Sequence, residues 1–310
     1  AKNGRTIYFE SGSDMFALDL ASDAAPRQIN FAPKTAKANG YRLSPDETQL
    51  VYADFVNEKF QLLTLPVQGG VPRQITFGEG SNVMPSWFPD GRRLVFVSDR
   101  TSRKQLYLTS VNGGEPEPLI FSNEDHTLPT VSPDGNRIIS NGERENANIY
   151  SCDLRTGKEL GHTSELGIQL FPEVSFDGRQ IAFQSSNASI NADEAIVYKP
   201  VSPDGTPLKL PASGFNAKWS PREDRLAFLK ISNGKIELWR AEPGGGNPVL
   251  LAGAIKMAGQ TGIPYYRMAA NYDWSPDGVN IAYSSAKSGQ ENLWMVRGND
   301  SAETKLTENT

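Results

Sequence analysis

The chain has 310 residues, a formal net charge of −5 and a sequence pI near 5.3. This acidic balance argues against a nucleic-acid-binding surface, which needs clustered lysine and arginine. The sequence contains no apolar run near the ~18–20 residues of a membrane-spanning helix, and its single cysteine excludes an internal disulfide. We therefore expect a soluble, mildly acidic protein.

One short pattern recurs seven times along the chain. Its fullest form is an aromatic residue, Ser-Pro-Asp-Gly, two polar residues and an apolar–small–aromatic triplet, as in residues 274–283. A fixed period in the range of about 20 to 50 residues is typical of a repeat architecture. The fourth residue of the tetrapeptide falls at Gly4, Glu47, Gly91, Gly135, Gly178, Glu223 and Gly278, in steps of 43, 44, 44, 43, 45 and 55 residues.

Each repeat predicts four short strands. In the third repeat, residues 83–87 form a strand that a turn ends, because Pro89 fixes φ and Gly91 allows a positive φ. Residues 94–97 and 105–109 give the second and third strands, and a short fourth lies around residues 118–120. Four antiparallel strands in a unit of about 44 residues are the blade of a β-propeller.

The other repeats keep the same positions apolar. Second strands carry two apolar residues at i and i+2, which lie on one face of the pleat, and third strands carry one large apolar residue. Buried between blades, each such side chain contributes roughly 1.5–3 kcal/mol. The second-strand pairs are Ile7/Phe9, Leu50/Tyr52, Leu94/Phe96, Ile181/Phe183, Leu226/Phe228 and Ile281/Tyr283, and the third-strand residues are Phe16, Leu63, Tyr107, Tyr150, Tyr198, Trp239 and Trp294.

We predict an all-β fold: one β-propeller domain over residues 1–310 with seven four-stranded blades, the alternative being six-bladed closure. The repeats span about residues 1–40, 41–82, 83–126, 127–168, 169–213, 214–268 and 269–310. Innermost strands are expected near Leu43, Trp87, Val131, Val174, Trp219 and Trp274, so the first blade lacks one. Three explanations stay open: the chain is a fragment of a larger protein, the blade has three strands, or a partner peptide supplies the strand by β-augmentation.

Ser-Pro-Asp-Gly before an apolar strand, a Gly-Gly turn such as Gly113-Gly114 and a closing pair such as Leu306-Thr307 make the chain similar to the TolB-type propeller family, a WD-like repeat. Proteins with these repeats include periplasmic components that bind partner proteins, sensor domains, the propellers of prolyl-oligopeptidase-like peptidases, and lyases that place several histidines around a metal. Fold analogy does not choose among them.

Catalytic motifs are not found in the sequence. It contains no Gly-x-Ser-x-Gly elbow and no zinc-binding pattern, and only His126 and His162 supply imidazole. Both histidines fall in predicted connections from a fourth strand to the next innermost strand. A site built from His126, His162 and Asp125 is one interpretation, and solvated loop histidines are the other. Cys152 is expected to be a small buried residue.

The one large insertion is the better candidate for a binding site. The 55-residue step comes from the segment after Leu250-Leu251, which contains Tyr265, Tyr266, Arg267 and Met268. Tyrosine, methionine and arginine are enriched at interface cores. The alternative is that this segment folds back as a packed loop.

The sequence thus predicts a non-catalytic binding or scaffold propeller, periplasmic or extracellular, with a protein or peptide partner, no membrane span in this chain and no cofactor. The resemblance also keeps open a propeller belonging to a peptidase, a polysaccharide lyase or hydrolase, or a sensor ectodomain of a membrane-anchored regulator. The binding surface is expected on the face that carries the inter-blade loops and the channel mouth.

Overall fold

The computed structural model describes residues 1, 4–11, 14–29, 39–119, 124–143, 147–163, 167–186, 195–202, 204–255, 272–299 and 301–308. All regular secondary structure in these ranges is β-strand, which confirms the predicted all-β fold. The chain divides into two compact units, one of Tyr8–Ala17 and Arg27–Ser164, the other of Ala1–Ile7, Leu18–Pro26 and Glu165–Thr310.

The strands up to residue 161 form an initial sheet of three described strands and then three sheets of four. Neighbouring strands within each sheet are antiparallel and follow in chain order. The bounds are β1 (Thr6–Ser11), β2 (Asp14–Asp19) and β3 (Arg27–Ile29); β4 (Asn39–Leu43), β5 (Gln49–Val56), β6 (Lys59–Pro66) and β7 (Arg73–Gln74); β8 (Asn82–Trp87), β9 (Arg93–Ser98), β10 (Gln105–Ser110) and β11 (Glu117–Pro118); β12 (Asp125–Val131), β13 (Arg137–Glu143), β14 (Ala147–Asp153) and β15 (Glu159–Gly161).

The strands after residue 165 form three more four-stranded antiparallel sheets, again in chain order. The six predicted innermost strands are found as β4, β8, β12, β16, β20 and β24, whereas the number of blades that close the propeller stays a prediction. The bounds are β16 (Ile168–Val174), β17 (Gln180–Ser186), β18 (Ala195–Pro200) and β19 (Leu208–Ser213); β20 (Phe215–Trp219), β21 (Leu226–Ser232), β22 (Lys235–Glu242) and β23 (Gly245–Ala252); β24 (Tyr272–Trp274), β25 (Asn280–Ser285), β26 (Asn292–Arg297) and β27 (Glu303–Lys305).

Successive sheets within each unit pack face to face, so both faces of a sheet are apolar. On β5, Leu50 and Tyr52 pack with Met15, Ala17 and Ile29 of the preceding sheet. The alternate residues of β5 point the other way, because side chains of a strand alternate between faces. They pack with the following sheet in a cluster that contains Val51, Ala53, Trp87, Phe96 and Tyr107.

Five of the six innermost strands, β24 being the exception, share a bulge one to three residues from their start. In β8 the pairing with β9 shifts between Val83 and Ser86, and Met84 between them has a φ of 53°. A bulge adds one residue that opposes none on the partner strand and increases the local twist. The residues with positive φ at this position are Gly40, Met84, Leu128, Phe171 and Asn216.

A threonine closes several sheets at the end of their fourth strand. The Thr76 hydroxyl accepts a hydrogen bond from the Leu62 backbone N–H at 2.8 Å and donates to the Gln61 side chain at 2.9 Å. Thr163 and Thr307 repeat this pattern in their own sheets. The closing Leu-Thr pair of the sequence therefore joins the fourth strand to the start of the third by side chain as well as by backbone.

The Ser-Pro-Asp-Gly turn is held by two side chains. The Ser132 hydroxyl donates to Asp134 at 2.6 Å and accepts from the Arg137 backbone N–H at 3.0 Å, while Asp134 accepts from the Asn136 N–H. These hydrogen bonds, the one from Ser132 first, lower the pKa of Asp134. The same arrangement recurs at Ser44, Ser175 and Ser275.

Turns in which another residue replaces the glycine of the motif adopt two different backbone conformations. Glu47 adopts a φ of 61° in place of glycine, which is strained for a residue with a Cβ. Glu223 keeps a negative φ, and its carbonyl accepts a hydrogen bond from Arg225 at 2.8 Å. One substitution is therefore accommodated by backbone strain and the other by a different turn geometry.

We predict that Ser132→Ala lowers the free energy of unfolding by about 1 kcal/mol, because the turn loses a donor to Asp134 and an acceptor for Arg137. Urea unfolding followed by circular dichroism measures the change. The exposed Ser202, for which no side-chain hydrogen bond is described, provides the control variant Ser202→Ala. Equal stability of both variants would show that the serine is dispensable to the turn.

Candidate functional site

The predicted site residues fall into two groups. Tyr265, Tyr266, Arg267 and Met268 lie outside the described residues. His126 lies within β12, and His162 follows β15 directly.

The interpretation of the two histidines as solvated loop residues is wrong. The exposed fraction of His126 is 0% and that of His162 is 7%. His126 donates its backbone N–H to Lys104 of the preceding sheet at 2.7 Å, and His162 donates its backbone N–H to Ile149 of β14 at 2.8 Å. Both residues are thus hydrogen-bonded at sheet edges. The sequence pattern predicted instead that they lie in the connections between strands.

The two imidazoles lie on opposite faces of one sheet. His126 pairs with Gly142 of β13, which places it on the face of Tyr150 and Ser140. The position of His162 opposite Ile149 of β14 places it on the other face, where its Nε2 lies 2.8 Å from the Ser151 Oγ. The sheet therefore separates the two imidazoles, which sequence reasoning placed in one site.

The β12–β15 sheet is more polar than the preceding sheet at matched core positions. Ser140 stands where the other six second strands have an aromatic residue, as Phe96 does in β9. Ser151 and His162 stand where the preceding sheet has Leu108 and Leu119. All of the polar substitutes are buried: Ser140, Asn141, Ser151 and His162.

His126 fills the space that the missing aromatic ring leaves. Its Nδ1 lies 3.1 Å from the Ser140 Oγ, and its ring meets Tyr150 edge to face with 6.0 Å between centroids. This separation matches the 6.1 Å between Phe96 and Tyr107 in the preceding sheet. The imidazole thus replaces a core aromatic residue as a packing element.

Two carboxylates border this imidazole. The Glu159 Oε1 lies 3.7 Å from the His126 Nε2, and the Tyr150 hydroxyl donates to Glu124 at 3.2 Å. Burial lowers the pKa of His126, which Glu124 and Asp125 oppose in part. Burial raises the pKa of Glu159, and the charge of Glu124 adds to that rise.

The phenol and the thiol on the same face are also shifted. Burial, together with the hydrogen bond to Glu124, raises the pKa of Tyr150 to about 12. Burial raises the pKa of the Cys152 thiol, and nearby carboxylates raise it further. Both groups are therefore protonated at neutral pH, and Cys152 is the buried residue that the sequence predicts.

Ser140, His126 and Glu159 form a hydroxyl–imidazole–carboxylate line, which in hydrolases activates a serine nucleophile. Here Ser140 is 2% exposed and His126 is not exposed, so a substrate has no access to the hydroxyl. The 3.7 Å gap to Glu159 exceeds hydrogen-bond distance. The line is therefore a packed interior feature, and within the described ranges no group of three or more His, Cys, Asp or Glu residues is placed to hold a metal ion.

Comparison with known proteins shows that the chain is similar to β-propeller proteins. Residues 6–146 match the family model described as the TolB beta propeller domain. Curated protein sequences give no match. In the part of the chain that the structure describes, no helix is long and apolar enough to cross a membrane.

Solved structures similar to this chain include TolB-named proteins and enzyme propellers. The putative TolB from Agrobacterium tumefaciens is 20% identical with a TM-score of 0.58, covering 96% of this chain and 87% of its own. An oligogalacturonate lyase from Vibrio parahaemolyticus is 11% identical with a TM-score of 0.69, covering 98% and 84%. The β-propeller domain of the Trilobed protease from Pyrococcus furiosus is 12% identical with a TM-score of 0.64, covering 98% and 93%. At these identities the likeness is one of fold.

We predict that His126→Ala lowers the free energy of unfolding by about 2–4 kcal/mol, because it leaves a cavity and removes the partner of Ser140. A solvated histidine would change it by about 0.5 kcal/mol or less. Urea unfolding measures the difference, with the exposed Glu117→Ala on the preceding sheet as control. A His126→Ala variant as stable as this control would contradict the packing role.

Proposed function

Because the chain is a β-propeller of the TolB type, we propose that it is a non-catalytic binding module outside the cytoplasm whose partner is a protein or peptide. The observation that carries this proposal is the burial of both histidines, the only imidazoles of the chain. A lyase or hydrolase site built on them would need access to substrate. The line from Ser140 to Glu159 is closed to substrate for the same reason.

The binding surface is proposed at the sheet edges where the innermost strands begin. The insertion of residues 256–271 joins β23 to β24 and so leads to that edge of the last sheet. Among its Tyr265, Tyr266, Arg267 and Met268, tyrosine and arginine are residue types that carry much of the binding energy in interfaces, and methionine is enriched there. In this proposal they bind the partner, and the propeller sheets hold them in place.

The second candidate is a propeller that belongs to an enzyme. What favours it is the fold likeness to the oligogalacturonate lyase and to the protease propeller. In that case the catalytic groups would come from residues beyond the described cluster around His126, or from another domain.

We predict that the double variant Tyr266→Ala, Arg267→Ala loses its partner while its thermal midpoint changes by less than about 2 °C, since interface residues do not pack in the core. The purified chain serves as bait for an extract of the source cell envelope, and mass spectrometry identifies what it retains. Phe77→Ala is the matched control, because Phe77 is 63% exposed in the connection from β7 to β8, which leads to another innermost strand.

Two results would overturn parts of this proposal. A thermal midpoint lowered by several degrees, at about 2–4 °C for each kcal/mol, would show that the insertion packs against the sheets. Turnover of oligogalacturonate or of a prolyl peptide by the purified chain would replace the binding module with an enzyme.

A further inference from the structure

The β12–β15 sheet places a titratable ring where the matched positions of neighbouring sheets have neutral groups. His126 occupies the position that Asn82 holds in β8 and Gln169 holds in β16. All three are buried, at 0%, 0% and 2% exposure. Among these three innermost strands, therefore, only β12 gains a charge at this position in mild acid.

The surroundings of His126 suit a neutral ring. The ring contacts the Tyr150 ring and the Ser140 hydroxyl. On the same face lie Ile138 and Cys152, which pack in an apolar cluster with Val95 and Leu106 of the preceding sheet. An imidazolium between these two sheets would lose its hydration, which is costly for a buried charge.

The charged and titratable groups around the ring are Glu124 and Asp125 beside β12, Glu159 of β15, Tyr150 and Cys152 of β14, and Lys104 before β10, whose carbonyl binds the His126 N–H. The Glu159 Oε1 lies 3.7 Å from the His126 Nε2, and the Glu159 side chain is 32% exposed. It therefore offsets an imidazolium charge only in part.

The sign of the pH effect follows from the shifted pKa values. The pKa of His126 lies below its ordinary 6.5 in the folded sheet, so the open form binds the proton first and stability falls as pH drops below about 6.5. The pKa of Glu159 lies above its ordinary 4.5, so its protonation adds stability, but at lower pH. The window for opening therefore lies below about pH 6.5 and above the titration of Glu159.

From this geometry we propose that the β12–β15 sheet is the acid-sensitive element of the propeller, and that protonation of His126 opens it locally while the other sheets stay closed. This inference is independent of the binding function. It gives the chain a way to respond to mild acidification within one sheet.

The single cysteine of the chain reports on this opening. Cys152 is 2% exposed, pairs with Ile138 and Glu159, and lies on the His126 face. The rate at which 4,4′-dithiodipyridine modifies this thiol is measured between about pH 7.5 and pH 5, because the reagent also reacts in acid. At each pH the rate for the folded chain is divided by the rate for the chain unfolded in urea. We expect this ratio to rise about tenfold in the wild type and less than about twofold in His126→Gln, which copies Gln169 of β16.

A second reporter tests whether the opening is local. Thr109 is the equivalent of Cys152 in the β8–β11 sheet and is 4% exposed. In the double variant Cys152→Ser, Thr109→Cys the ratio should not change with pH. Equal acceleration at both reporters would mean global unfolding and would overturn the proposal, as would a flat ratio for Cys152.

A further variant keeps the test decisive if His126→Gln does not fold. Glu159→Gln removes the carboxylate that lies 3.7 Å from the His126 Nε2. An imidazolium is then less favourable in the closed sheet, whereas the pKa of His126 in the open form is unchanged, so the acceleration of Cys152 should begin near the same pH but be larger at pH 5 than in the wild type. An acceleration at pH 5 equal to or smaller than that of the wild type would rule out His126 as the group responsible.

Discussion

The face-to-face packing of successive sheets within each unit is the constraint on which the structure depends. A sheet covered on both faces needs apolar side chains at consecutive positions, so strand β5 buries Leu50, Val51, Tyr52 and Ala53 in a row. Two of them pack towards the preceding sheet and two towards the following one. The short polar turns, the closing threonines and the register between strands all serve to hold these flat apolar layers in contact.

Much of this architecture could be predicted from the sequence, because the same sequence pattern recurs in every repeat. The innermost strands, the turns and the large third-strand residues were found where the period placed them, as Trp87 and Tyr107 show. The prediction that His126 and His162 lie in connections between strands was wrong. In a sequence pattern, a polar residue next to the end of a predicted strand indicates a loop. The backbone N–H groups of the two histidines donate to the carbonyls of Lys104 and Ile149, which are distant in sequence. One signal was available: the fourth repeat has Ser140 where six others have an aromatic residue.

The fourth repeat shows where a repeat protein can change without losing its fold. Replacing an aromatic residue by Ser140 alone would leave a cavity, and burying His126 alone would leave polar atoms without hydrogen bonds. Together they fill the volume and satisfy each other at 3.1 Å. A polar pair of this kind keeps the packing volume between the sheets and introduces a titratable group. The sheet can therefore respond to pH, whereas sheets with apolar residues at these positions do not.

The bulge in β8 and in β12 has a consequence for how such a change is contained. It divides the strand into a first part with buried polar residues such as Asn82 and His126, and a second part with apolar ones such as Trp87. Since the ladder of hydrogen bonds is interrupted between them, the first part can separate from its partner strand without drawing the second part along. In β8 and β12 the innermost strand thus consists of two short segments, a polar one that can open and an apolar one that keeps the sheet in place.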